Sequence, residues 1–231
     1  YFLTALLNST IYVICVVPFM VILPLILAYL VKGNSRIMGF FRTAFYMPVV
    51  MSAVVVGMIW TNLLDSAGLV NSVLKALKII SKPIPFLTDR WGVLFSSMFV
   101  TIWLGLGYYM VIYLTALANI DESLYEAASL DGAGPVRQFI YVTMPGVRST
   151  MMLIMMLSTI AAFRVFNEIY VLTNGSAGPG GMDMTMSMLI KREGTGIQAR
   201  TGYASAISIV VLVIVGVMLI VQQILQKRGE D

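Results

Sequence analysis

The sequence predicts an all-α polytopic membrane protein, and three observations carry that prediction. Of the 231 residues, 59% are hydrophobic and only 11% charged, with a mean hydropathy of +0.90; a soluble domain could not hide that much apolar surface. Five stretches approach the roughly 20 apolar residues that cross a hydrocarbon core. Between them lie polar connectors marked by glycine, proline and charge. There is no histidine, and the single cysteine, Cys15, lies in an apolar run, which speaks against His/Cys metal sites, thiol catalysis and intrachain disulfides. The net charge of +4 is spread out, with no basic cluster interleaved with aromatics, so it reads as charge for lipid headgroups rather than for nucleic acid.

The first span is predicted over 11–31, with Pro18 and Pro24 expected to kink it. Residues 1–8 show no basic region ahead of an apolar stretch, so no signal peptide is expected there. Lys32, Arg36 and Arg42 follow in a short connector suited to a headgroup surface. The second span, 44–64, carries Pro48 near its start, Trp60 at interfacial depth and Asp65 beyond. In the segment 66–91, Leu69, Val70, Val73, Leu74, Leu77 and Ile80 share a helical face opposite Lys75 and Lys78, which predicts an amphipathic helix lying on the membrane and broken by the prolines of KPIPF. The third span, 93–117, sets Trp103, Tyr108, Tyr109 and Tyr113 around Gly105 and Gly107. Glycines there suit either a close helix contact or a face that lines a ligand path.

A polar, small-residue island follows, YEAASLDGAGPVRQFIYVTMPGVRS over 125–149. Asp121 is placed to cap a helix whose first turn holds Glu122 and which stops at Gly132. Gly134 and Pro135 then start a second helix, with Val136, Phe139, Ile140 and Thr143 on one face until Pro145 ends or kinks it. Two short helices at a glycine corner make a docking knuckle: its alanines admit a partner's backbone, and Glu126 and Asp131 offer charge-assisted contacts. The fourth span, 150–172, is chemically odd because FRVFNEIY puts Arg164, Asn167 and Glu168 in apolar sequence, at a cost of a few kcal/mol for each charge, as a rough scale. Spaced four apart, Arg164 and Glu168 suit an ion pair; alternatively they are wetted near the outer surface, or face a watery path and touch a polar substrate. The segment 173–202 begins with a glycine-rich loop, and its alternating Met182, Met184, Met186 and Met188 fit a short helix or an irregular loop on the outer face. The fifth span covers 203–225, and 226–231 is a short polar tail.

Glu126-Ala127-Ala128, then Asp131-Gly132-Ala133, then Met144-Pro145 at the right distance, resemble the EAA loop of ABC-importer permeases. Met144 and Ser149 depart from the leucine and the second proline usual there. The segments PVVMSAVVVGMIWTNLLDSAGLVNSVL, TIWLGLGYYM and YVLTNGSAGPG followed by GYASAIS extend the similarity to nearly the whole chain and to the first permease subunit of carbohydrate importers of the maltose and glycerol-3-phosphate type. That resemblance implies a type I ABC-importer (MetI-like) bundle forming one transmembrane domain over 1–231, in a family that usually has a further N-terminal helix. The stretch 121–149 would be its cytoplasmic coupling loop, with 66–91 and 173–202 extracytoplasmic. Counting Lys and Arg gives seven on each side, so the positive-inside rule does not decide the orientation. The acid-free 32–42 connector leans towards cytoplasm, and orientation rests on the resemblance, in a bacterial or archaeal cytoplasmic membrane with the C-terminus inside.

The family pattern assigns ATPase coupling to Glu126, Ala127, Ala128, Asp131, Gly132 and Ala133. It implies sugar contacts from Thr101, Leu104, Gly105 and Tyr108, and, together with the physical oddity of span four, from Arg164, Phe166, Asn167 and Glu168. The implied partners are a second permease, two ATPase subunits, an extracytoplasmic solute-binding protein, a sugar and membrane lipid. No GxxxxGK[ST] cradle occurs in the sequence, so ATP and Mg are expected on the ATPase, with no catalytic residue, metal or cofactor in this chain. Arg164 and Glu168 raise the prospect of an acidic saccharide. Two other readings are an ABC importer for another polar or anionic solute and an ion-coupled secondary carrier, which would need intramembrane carboxylates beyond Glu168 and repeated halves.

Overall fold

The computed structural model describes residues 1–228, and the described residues form helices without strands. The helices are α1 (Phe2–Leu30), α2 (Arg36–Tyr46), α3 (Ala53–Leu64), α4 (Leu69–Ala76), α5 (Arg90–Leu117), α6 (Glu122–Leu130), α7 (Pro135–Gln138), α8 (Met144–Gly146), α9 (Arg148–Phe163), α10 (Asn167–Leu172), α11 (Met186–Gly194) and α12 (Thr201–Arg228). Among the described residues, five segments are long and apolar enough to cross a membrane: Phe2–Leu30, Ala53–Ala76, Arg90–Leu117, Arg148–Leu172 and Thr201–Gln226. The end of the expected polar tail, 229–231, lies outside the described residues.

Boundaries differ from the hydropathy pattern where polar groups find partners. α1 begins nine residues earlier than the predicted 11, because Asn8, Ser9 and Thr10 are accommodated inside it: Thr10 Oγ1 donates to the Leu6 carbonyl at 2.8 Å, and the other two bond elsewhere in the protein. It stays helical through Pro18 and Pro24. The predicted second span is interrupted. Its first residues belong to α2, a 3-10 turn over Met47–Val50 absorbs Pro48, and α3 starts only after Ser52. The amphipathic helix of the next segment ends at Ala76, with Lys78 in the left-handed region (φ 57°). Buried Asn71 ties it to the proline segment, donating to the Asp65 and Ile84 carbonyls and accepting from the Ile84 amide at 2.8 Å.

By packing, the chain divides into two compact units, one of 1–16, 51–102 and 159–231, the other of 17–50 and 103–158. In the first, Tyr12, Val16, Leu94, Ile169, Met186, Leu189 and Ile207 are fully buried. Asn8 Nδ2 donates to the carbonyls of Met182 (2.6 Å) and Met184 (2.9 Å), the Met186 amide donates to Ser9 Oγ (3.0 Å), and Gln222 Nε2 donates to Thr159 Oγ1 (2.8 Å). The methionine run is thus a turn over Pro179–Gly181 followed by α11, with Met184, Met186 and Met188 buried.

In the second unit, Leu25, Ala28, Met110, Tyr113 and Ile154 form the core, and Tyr113 Oη donates to the Val21 carbonyl at 2.9 Å. Gly105 and Gly107 serve close packing here. A Cβ at Gly105 would overlap the flexible end of Met20; one at Gly107 would overlap the Phe45 carbonyl and come within 2.8 Å of Tyr46 Cα, where neither can yield. Gly107→Ala should therefore cost about 1–3 kcal/mol and lower the Tm of the detergent-purified protein by several degrees. Gly216→Ala, whose added methyl meets nothing within 4 Å, should leave Tm unchanged.

Candidate functional site

The two short helices and their glycine corner form where the sequence places them. Asp121 caps α6, its Oδ1 accepting from the Ser123 amide at 3.0 Å, and Gly132 turns the corner at φ 74°. The Ala133 amide donates to the Ala128 carbonyl at 2.9 Å, and Gln138 Nε2 reaches back to Ser129 Oγ (2.8 Å) and the Ala133 carbonyl (3.1 Å), closing the corner. Glu126, Ala127, Asp131 and Gly132 are exposed, with Ala128 and Ala133 half-buried. No residue of α6 is buried, and Leu130 is 90% exposed.

Pro145 does not end the second arm. A π turn over Phe139–Thr143 widens the helix just before it, the Met144 amide bonding the Phe139 carbonyl, and the helical path resumes through α8 to Val147. In a regular α-helix the proline ring would collide with the carbonyl four residues back; the wide turn relieves that collision without abandoning helix. Tyr125 Oη and Thr143 Oγ1, 2.9 Å apart, bond the first arm to this π turn.

Thr101, Leu104, Gly105 and Tyr108 share one face of α5 by helical spacing. Thr101 Oγ1 lies 2.6 Å from Tyr12 Oη, so its hydroxyl already has a protein partner. Leu104 is half-buried and Tyr108 exposed, its ring edge-on to Tyr109 at 5.2 Å.

Of the alternatives open for Arg164 and Glu168, the ion pair is absent among the described residues. Among the described residues the ion pairs are those of Glu193 with Arg192 (3.2 Å) and Arg200 (2.8 Å). The reason is a break between α9 and α10: Phe166 leaves helical geometry (φ −142°, ψ −57°), so residues four apart in sequence no longer share a face. The Val165 carbonyl left open by the break accepts from buried Thr185 Oγ1 at 3.0 Å. Arg164 and Asn167 are exposed, and Glu168 is half-buried. Phe166 stacks on Tyr170 with centroids 5.0 Å apart, and Lys191 Nζ stands 4.9 Å and 3.7 Å from the two ring centroids.

Two groups beyond the predicted set emerge. Tyr12 is fully buried against Thr101, and a polar stretch at the head of an apolar run was its only sequence signal. Asp183, in the glycine-rich segment, is fully buried with neither carboxylate oxygen hydrogen-bonded, and a Cβ on Gly178 would overlap it. Burial pushes its pKa up to about 7, with Asp89 adding and Arg90 opposing. The folded state therefore holds this proton more tightly than the unfolded chain. Its stabilising effect is full below about pH 3.9 and is lost as pH rises towards 7. Asp183→Asn should raise Tm at pH 8 and leave it unchanged near pH 4, read by thermal unfolding across that range.

Known proteins share both this fold and much of this sequence. The family of "binding-protein-dependent transport system inner membrane component" proteins matches residues 2–230. The chain is 33% identical over 222 residues to the lactose transport system permease protein LacF of Rhizobium radiobacter, covering 96% of this chain and 74% of that one. It is 31% identical to the arabinooligosaccharides transport system permease protein AraP of Halalkalibacterium halodurans, covering 100% and 73%. Among solved structures, a bacterial alginate ABC transporter in complex with an alginate pentasaccharide-bound periplasmic protein contains a chain of the same fold, with a TM-score of 0.85 at 24% identity over 98% of this chain and 78% of that one.

Proposed function

The chain belongs to the family of binding-protein-dependent transport system inner membrane components, and from that premise we propose that it is a transmembrane subunit of an ATP-driven importer for a sugar or oligosaccharide. Relatives at 31–33% identity are permeases for lactose and arabinooligosaccharides, which supports the substrate class. It would form half of the translocation pathway beside a second permease. An extracytoplasmic binding protein would deliver substrate, and two ATPase subunits would carry ATP and Mg. The knuckle and the C-terminus would then face the cytoplasm.

The observation that carries the coupling role is the unburied knuckle. Leu130, Val136 and Tyr141 expose apolar surface beside the carboxylates of Glu126 and Asp131, the chemistry of a surface awaiting a protein groove. Rotation of the ATPases would move the two arms as one body, because the corner and the Tyr125–Thr143 bond hold them together. Substrate hydroxyls would meet Asn167 and Glu168 at the helix break, with the Phe166 ring face beside them. The exposed Arg164 guanidinium, freed from Glu168, favours an acidic saccharide as the second reading within this class.

Replacing Glu126 with Lys together with Ala127 with Trp should abolish copurification of the ATPase and cut uptake about tenfold or more. Uptake in vesicles should stop when ATP is depleted with ion gradients clamped; persistence would favour an ion-coupled carrier. Arg164→Ala and Glu168→Ala should each lower uptake and substrate-stimulated ATP hydrolysis at unchanged expression, whereas full transport by both would make these residues structural.

A further inference from the structure

The knuckle is covalently continuous with α5 on one side and α9 on the other; α1 meets it through the Tyr29 side chain. At the exit of α1, Lys32 Nζ lies 4.5 Å from the centroid of the Tyr29 ring and 4.1 Å from that of Tyr125, within cation–π range of both. Tyr29 belongs to α1, and Tyr125 to the first arm of the knuckle. Tyr29 also holds the second arm: its ring meets Phe139 edge-on at 5.1 Å, and its hydroxyl donates to the Pro135 carbonyl at 3.4 Å. Tyr125 in turn bonds Thr143 in the π turn.

The turn that presents Lys32 is itself braced. Arg42, from α2, donates through Nε to the Val31 carbonyl (2.8 Å) and through Nη2 to the Gly33 carbonyl (2.7 Å), one residue on either side of Lys32. Lys32 and Tyr125 also line, with Arg42, Asn34 and Glu122, a cleft of about 470 Å³. Burial lowers the pKa of the Lys32 ammonium, and the Glu122 carboxylate opposes that shift.

We infer that Lys32, clamped between Tyr29 and Tyr125 on a turn braced by Arg42, is a positioning residue that makes α1 follow the knuckle when a partner moves it. This rests on the reading of the knuckle as the ATPase dock. The tie suits that role because it joins the carrier of motion to a helix that chain continuity does not reach, and because a rigid fold within the knuckle needs no cation outside it.

The test is the number of substrate molecules taken up per ATP hydrolysed by the complete importer, purified with its partner subunits and reconstituted. Lys32→Met should retain the ATPase on copurification but lower that ratio roughly fivefold or more. Lys32→Arg, which keeps a cation over both rings, should restore it. Tyr125→Phe, retaining the ring and losing only the bond to Thr143, should stay closer to the parent than Tyr125→Leu. An unchanged ratio in Lys32→Met overturns the inference, as does a Lys32→Arg that fails like Lys32→Met, or a Tyr125→Leu that couples as the parent does. If Lys32→Met lowers the yield of folded protein, the two Tyr125 variants decide between the same outcomes. Failure of the parent chain to copurify an ATPase would instead sink the docking reading, so the two failures are distinguishable.

Discussion

A hydrocarbon environment supplies no hydrogen bonds, so each backbone amide and carbonyl in a spanning segment must find its partner within the protein. That constraint bears on the break between α9 and α10, which lies inside a span, whereas the irregular turns at Pro48 and Pro145 lie outside the spans and answer to the geometry of proline. At the break between α9 and α10, Thr185 satisfies the Val165 carbonyl. Ahead of Pro145, the chain shifts into a π turn and bonds Met144 to Phe139. At Pro48, it tightens into a 3-10 turn and restarts after Ser52. Each interruption costs helical hydrogen bonds, and each has a compensating bond or a tighter or wider turn beside it.

The same constraint bears on the charges at the α9–α10 break. A guanidinium and a carboxylate in an unbroken apolar helix would be driven to pair, since leaving either alone in hydrocarbon is costly. By breaking the helix between Arg164 and Asn167, the chain separates the two charges and leaves Arg164 and Asn167 exposed instead of neutralising them against each other. Close approach elsewhere is delegated to glycines, as at Gly107 against the backbone of Phe45 and Tyr46. Small residues thus pack helices, while the broken backbone keeps two charged side chains from pairing.

Much of this was legible in the residues. The membrane class followed from composition, and the knuckle followed from Asp121, Gly132, Gly134 and Pro135, because caps and corners are local chemistry set by a few neighbouring residues. Less legible was anything that depends on partners distant in sequence. Arg164 and Glu168 sit at ideal spacing for a pair, and nothing local announces the break at Phe166, which is stabilised by Thr185 twenty residues later. Asn8 and Ser9 looked like residues ahead of a span; they lie inside it because backbone groups of Met182, Met184 and Met186 receive them. Lys32 read as one of three connector charges, and its two aromatic partners are separated from each other by nearly a hundred residues.

The choice of interaction at that last place has a physical logic. An exposed ion pair is worth about 0–1 kcal/mol and weakens with salt, and holding two long side chains in one geometry costs entropy. Two tyrosine rings present broad faces, lose little freedom on ordering and attract a cation across a short distance. They also leave the carboxylates of Glu126 and Asp131 uncommitted within the knuckle, since the cation is not neutralised by either. In the proposed docking role, a surface gripping a partner through its acids would be better fastened to its own bundle by rings than by salt bridges, because the two sets of contacts would not compete for the same charges.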